Sequence, residues 1–202
     1  MAEKKATIEI FRRKDAEDFS SSLAAPDSRA GIGSAAALTA AEAAAFLHRT
    51  AAELAERHPG DDRLDYLERN TEIMRSYMVR LIDEDVKCRG PLRRALKEGD
   101  ERTVEAAHQP AVAIAQEIIV MMQQALSFAD ELADRTDAAQ KRWVSAAAEL
   151  AMGAIRACRH YVVDMSLECS DETYRYVIRR ENEITLDQCD DMCARVLEKT
   201  AP

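Results

Sequence analysis

Apolar residues recur at steps of three and four along almost the whole chain, the period of helices that bury one face. This pattern predicts helices over 6–24, 34–57, 62–97, 101–134, 137–167 and 171–198. The breaks between them fall at Ala25-Pro26-Asp27-Ser28, His58-Pro59-Gly60-Asp61, Glu98-Gly99-Asp100, Arg135-Thr136-Asp137 and Cys169-Ser170-Asp171, all built of turn-forming residues. Gly90-Pro91 is expected to kink or divide the third helix and Pro110 to bend or restart the fourth. Proline removes a backbone donor and disfavours helix in the residue before it. Long helices with short connections predict an all-α antiparallel bundle of about six helices, a single domain over residues 1–202.

Composition adds constraints to this picture. Aromatic residues make up 5% of the chain, with only 6 glycines and 5 prolines, so no strand-rich fold is needed. The net charge of -9 argues against non-specific nucleic-acid binding, which needs a basic surface. No apolar run reaches the roughly 18 residues of a membrane span. Met1-Ala2-Glu3-Lys4-Lys5 leads into an amphipathic stretch and not into a signal-peptide core. The expectation is a cytoplasmic protein with neither nucleic-acid nor membrane partners.

Five cysteines without CxxC spacing suit reduced thiols better than a disulfide scaffold. Cys189 and Cys193 are four apart and share a helix face, yet no recognisable spacing supplies two further ligands, so no metal site is expected.

The stretch Ala30-Gly31-Ile32-Gly33-Ser34-Ala35-Ala36-Ala37-Leu38 runs a glycine turn straight into an alanine-rich helix. Small residues there let a ligand or a second backbone approach the first helical turn. The free N–H groups and the helix dipole favour an anionic or electron-rich group. Gly31, Gly33 and Ser34 are therefore candidate substrate-binding residues; close helix packing explains the same pattern.

In the third helix Tyr77, Met78, Leu81, Asp85, Cys88 and Leu92 form one seam, which turns Asp85 inward. Asp83 and Glu84 lie about 160° and 100° round from it. A carboxylate among apolar neighbours must be paired or have its pKa raised toward the acid/base range, so Asp85 is either structural or a proton-transfer group. His160 and Asp164 are four apart on the fifth helix, where a carboxylate can orient an imidazole, although a solvated pair has the same spacing. Glu42 interrupts the alanine helix close in angle to Leu38, with His48 after it, and either could enter a cleft. His58, beside Pro59, and His108, two residues before Pro110, read as loop or helix-end residues. No GxSxG, HExxH, Walker A or GxGxxG motif is present.

Asp18-Phe19 to Leu23, the Ala30–Ala37 turn and helix, Leu81-Ile82-Asp83-Glu84-Asp85 and Glu105-Ala106-Ala107-His108-Gln109-Pro110 together resemble the cyclodeaminase/cyclohydrolase family. That family includes the C-terminal half of formiminotransferase-cyclodeaminase and the small bacterial methenyltetrahydrofolate cyclohydrolases. The resemblance implies an intertwined all-helical homodimer that acts on a formimino- or methenyl-substituted tetrahydrofolate. It places the family's Pro-Gly-Gly-Gly-Ser turn on Ala30 to Ser34, with Ile32 in place of the middle glycine, and the family's aspartate on Asp85.

There are departures from the family pattern. The Ser-Asp signature near 135–143 has no counterpart, and two asparagines of the late helix are replaced by His160 and Asp164. The Thr-x-Gly-Lys-Lys stretch is absent, and Glu42 and Arg49 replace apolar positions. A retained scaffold with a rewritten pocket follows. The expected function is acid/base-assisted deamination or hydrolysis at an amidine-type carbon–nitrogen centre. Asp85, His160 and Asp164 would be catalytic and Gly31, Gly33, Ser34 and Glu42 would bind substrate. No cofactor is required, a tetrahydrofolate derivative being a candidate substrate. The alternative is a non-catalytic helical dimer that binds a small ligand or protein partner.

Overall fold

The computed structural model describes residues 9–99 and 101–201, with the backbone alone at Glu101 and Glu105. Met1–Lys5 and Asp100 of the third break lie outside the described residues. A 3-10 turn, Phe11–Arg13, precedes α1 (Ala16–Ala24), α2 (Ile32–Arg57), α3 (Asp62–Glu98), α4 (Glu101–Ala133), α5 (Ala138–Ser166) and α6 (Glu172–Thr200). No strand occurs among the described residues.

The helix ends are where local chemistry puts them. Asp61 caps α3 by accepting from the N–H of Arg63 and Leu64, at 3.0 and 3.1 Å. Asp137 and Gln140 form a reciprocal capping box at α5, and Asp171 caps α6. Gly99 ends α3 with φ of 72°, in the left-handed region that favours glycine. The predicted helix 6–24 is cut because Asp15 caps a new helix, its carboxylate accepting from Asp18 N–H at 2.8 Å.

Neither internal proline breaks its helix: α3 runs through Pro91 and α4 through Pro110. Each proline is exposed, as are Lys87 and Ala106, the residues four earlier whose carbonyls lose a donor. Water can satisfy those carbonyls, so the cost stays local.

The alanine-rich α2 lies at the centre, packed on α3, α5 and α4. Ala37, Ala40, Ala43, Ala44 and Ala51 are completely buried, and their small side chains let neighbouring axes come close. The packing explanation for the alanine run therefore holds. α4 includes the most apolar stretch, long and apolar enough by composition to span a bilayer; 56% of that stretch is buried, and the helix packs on α2, α3, α5 and α6.

Two polar residues behave differently from the sequence expectation. Asp83, off the α3 seam, is buried because the amino-terminal segment covers it. Its Oδ1 accepts from Phe11 N–H at 2.7 Å and Arg12 N–H at 3.3 Å, and Arg12 Nε lies 3.3 Å from Oδ2. His108 is no helix-end residue: it is fully buried inside α4 and its Nε2–H donates to the Met165 carbonyl at 2.5 Å, tying α4 to the end of α5.

Candidate functional site

The first turn of α2 is capped by a residue 51 positions away. Gly31, at the N-cap position, has no side chain to offer, and its φ of -158° is ordinary extended backbone. Asp85 on α3 supplies the missing acceptor. Its Oδ2 accepts from Ser34 N–H at 3.0 Å and from Ser34 Oγ–H at 2.7 Å. Negative charge beside the first-turn N–H groups is also favoured by the helix dipole.

This contact sets the glycine requirement. A Cβ on Gly33 would lie 2.2 Å from Asp85 Oδ1, which has no hydrogen-bond partner among the described residues. A Cβ on Gly31 would lie 2.5 Å from the guanidinium nitrogens of Arg89. Arg89, one helical turn beyond Asp85, places Nε 3.3 Å from Asp85 Oδ2 as an ion pair without hydrogen-bond alignment. It also donates from Nη2 to the Arg29 carbonyl at 2.8 Å. Burial pushes the Asp85 carboxyl above its ordinary value, and the Arg89 charge and the Ser34 donors oppose that rise.

The α5 wall adds Tyr161, whose phenol is pushed up to about 12, chiefly by burial, and whose ring centroid lies 6.0 Å from the Arg89 guanidinium. Tyr161 joins Ile32, His160, Val163, Asp164 and Leu167 around an open cavity of about 310 Å³. Ile32 comes from the α2 turn and the other five from α5 and its C-terminal end, so the cavity sits where the two elements meet.

The structure therefore divides the predicted residues into three sets. Gly33, Ser34 and Asp85 form one buried cluster, with the half-buried Gly31 at its edge against Arg89. His160 and Asp164 line the cavity but are not paired with each other. Glu42 stands exposed on α2 and lines neither the cavity nor the cluster. Asp85 is completely buried and does not line the cavity either.

Arg89 and Tyr161 were missed in the sequence, although Arg89 stands four residues after Asp85, the spacing at which helical charges pair. Cys189 and Cys193 are buried with thiols pushed up to about 11 by that burial. No group of three or more His, Cys, Asp or Glu suited to a metal is found among the described residues.

The all-α bundle carries a small open cavity beside a capped helix start, a candidate site for a small ligand. A family model described as formiminotransferase-cyclodeaminase matches residues 15–183, and the chain belongs to that family. The fold is similar to the crystal structure of formiminotetrahydrofolate cyclodeaminase from Thermotoga maritima, with a TM-score of 0.86 and 20% identity. That match covers 93% of this chain and 96% of the other. No curated protein matches the sequence.

Proposed function

We propose that this chain is a cyclodeaminase-like enzyme for a folate-related small molecule, acting at an amidine-type carbon–nitrogen centre by acid/base-assisted deamination or hydrolysis. The observation that carries the reading is the cavity itself, where Ile32 of the family's turn meets His160, Tyr161 and Asp164 of α5. Its 310 Å³ falls at the small end of ligand sites, roughly 300–1,000 Å³.

In this reading His160 and Asp164, whose side chains reach the cavity, are the acid/base groups, replacing the amides that the family resemblance would place there. Asp85 takes, in this reading, the structural one of the two roles that its seam position leaves open. A fully buried carboxylate already holding Ser34 and Arg89 is a positioning residue. It fixes the 31–34 turn, and with it the place of Ile32 in the cavity wall. The chemistry calls for no cofactor, and a homodimer follows from the family resemblance, to be checked by sedimentation.

The test is a thermal-shift series with tetrahydrofolate derivatives, followed by turnover of formiminotetrahydrofolate and methenyltetrahydrofolate. Stabilisation by folates together with turnover of either compound supports the enzyme reading. Stabilisation without turnover favours the second reading, a ligand-binding bundle, for which the structural engagement of Asp85 speaks. No response to any folate removes the substrate class.

A further inference from the structure

A second cleft, of about 260 Å³, opens beside the 28–31 turn and is lined by Arg29, Gly90, Arg93, Arg94 and Lys97. All four side chains in that lining are cationic, and no acidic residue is among them. None of the four has an ion-pair partner among the described residues. This contrasts with Arg89 one turn earlier, which is paired with Asp85. In a chain whose net charge is -9, four unneutralised cations around one cleft are an electrostatic concentration that the surrounding composition opposes. Both walls are held in place: Arg93 Nη1 donates to the Ser28 carbonyl at 3.1 Å, and Arg89 holds the Arg29 carbonyl at 2.8 Å.

We propose that this cleft binds an oligophosphate group, the diphosphate or triphosphate of a phosphorylated small molecule. Charge density decides the class. A single carboxylate would leave three cations facing one another, whereas a di- or triphosphate brings several charges into the same small volume. Three of the four side chains are arginines, whose planar forks match phosphate oxygens two at a time. The rise of the helix separates Arg93 from Lys97 by about 6 Å along α3, enough for successive phosphate groups to meet successive side chains. The lining includes no aromatic or aliphatic side chain that could hold a ring, so the charged end of the ligand is what the cleft recognises.

Arg94 and Lys97 make no hydrogen bond among the described residues and stand apart from the cavity site, so their replacement isolates the cleft. The experiment is isothermal titration of the full chain with inorganic triphosphate at about 0.15 M ionic strength, where weak surface attraction is screened. Citrate at matched ionic strength is the carboxylate arm.

The expected result is saturable one-to-one triphosphate binding, at least about tenfold weaker in the Arg94→Gln/Lys97→Gln variant and at least about tenfold weaker for citrate. Arg29→Gln, on the facing wall, gives the same loss and serves if the double variant fails to fold. No saturable heat, unchanged affinity in the folded variants, or citrate binding as tightly as triphosphate each overturns the proposal. Cations that serve only to offset the dipole at the end of α3 would lower the melting temperature when removed and leave triphosphate binding unchanged, which is one of those overturning results.

Discussion

Asp85 Oδ2 lies 2.7 Å from Ser34 Oγ and 3.0 Å from Ser34 N, so a carboxylate on α3 serves as the N-cap that α2 lacks. The glycine turn, the family's aspartate and Arg89 thereby become one mechanical unit next to the cavity.

Replacing Asp85 separates its charge from its shape. Asp85→Ala leaves the Arg89 charge and the Ser34 donors without their partner, and a cost of about 3–5 kcal/mol is expected, as for other broken buried pairs. In a chain of this length that lowers Tm by roughly 10 °C. Asp85→Asn retains the shape and can still accept from Ser34, so it should keep the fold while turnover falls. Circular dichroism melts and kinetics with an accepted substrate check this. A positioning role appears as a lower kcat with the pH profile unmoved, and near wild-type turnover in Asp85→Asn would make the carboxylate purely structural.

The two glycines should differ. In Gly33→Ala the new methyl meets Asp85 Oδ1 at 2.2 Å, and that carboxylate is fixed by Ser34, so a loss of about 1–3 kcal/mol is expected. In Gly31→Ala the methyl meets the end of the Arg89 side chain at 2.5 Å, which can swing away. Denaturant unfolding of the two variants should rank Gly33→Ala as the more damaging. The reverse order would mean that Arg89 is the more rigid partner.

Acid titration should reveal two opposite signs. Hydrogen bonding, first to Arg75 and then to Ser76, holds Glu72 at about 2, below its ordinary 4.5. Its contribution is present above 4.5 and is lost as pH falls toward 2, and being exposed it is small. Asp85 is raised by burial, so its contribution is present in acid and is lost as pH rises from 3.8 through its raised value. Stability measured against pH for Glu72→Gln should lose part of the acid-side decline. Asp85→Asn should lose part of the opposing trend, and identical profiles for all three proteins would contradict both assignments.

Thiol reactivity should be ordered by burial. Cys158 is pushed up to about 12 and Cys189 and Cys193 to about 11, while Cys88 is only half-buried, though its thiol is also raised. Alkylation of the native protein at pH 8 should modify Cys88 well before Cys158, and all five cysteines should react after denaturation. Labelling of Cys158 as fast as Cys88, read by peptide mass spectrometry, would show that the α5 core opens readily.

If His160 and Asp164 retune the pocket, then His160→Asn/Asp164→Asn should raise turnover of methenyltetrahydrofolate relative to the parent chain. An amide both donates and accepts, whereas the imidazole and carboxylate present a different set, and each hydrogen bond lost to the mismatch in this open cavity costs roughly 0.5–1.5 kcal/mol. Absorbance of the methenyl compound follows the reaction. Efficient turnover by the unaltered chain, with no gain in the variant, would mean that these two positions do not select the substrate.

The sequence by itself determined the five long helices, α2 to α6, and nearly all their ends, because Asp61, Asp137, Asp171 and Gly99 act through contacts within a few residues of themselves; Asp15 does the same for the short α1, but the apolar period ran on through it. It also determined that Asp85 faces inward, since helical period fixes the angle of a side chain about its own axis. Only the tertiary structure decided what each such side chain meets. The same periodicity that turned Asp85 toward the core turned Asp83 away from the seam, yet Asp83 is buried because the segment at Phe11 and Arg12 covers that face. His108 looked like a neighbour of a proline and became the tie to the end of α5. Glu42 looked close to a pocket and stands in solvent. An angle round a helix is a local quantity, whereas a partner depends on which helix packs there and at what height, and no spacing within one helix encodes that.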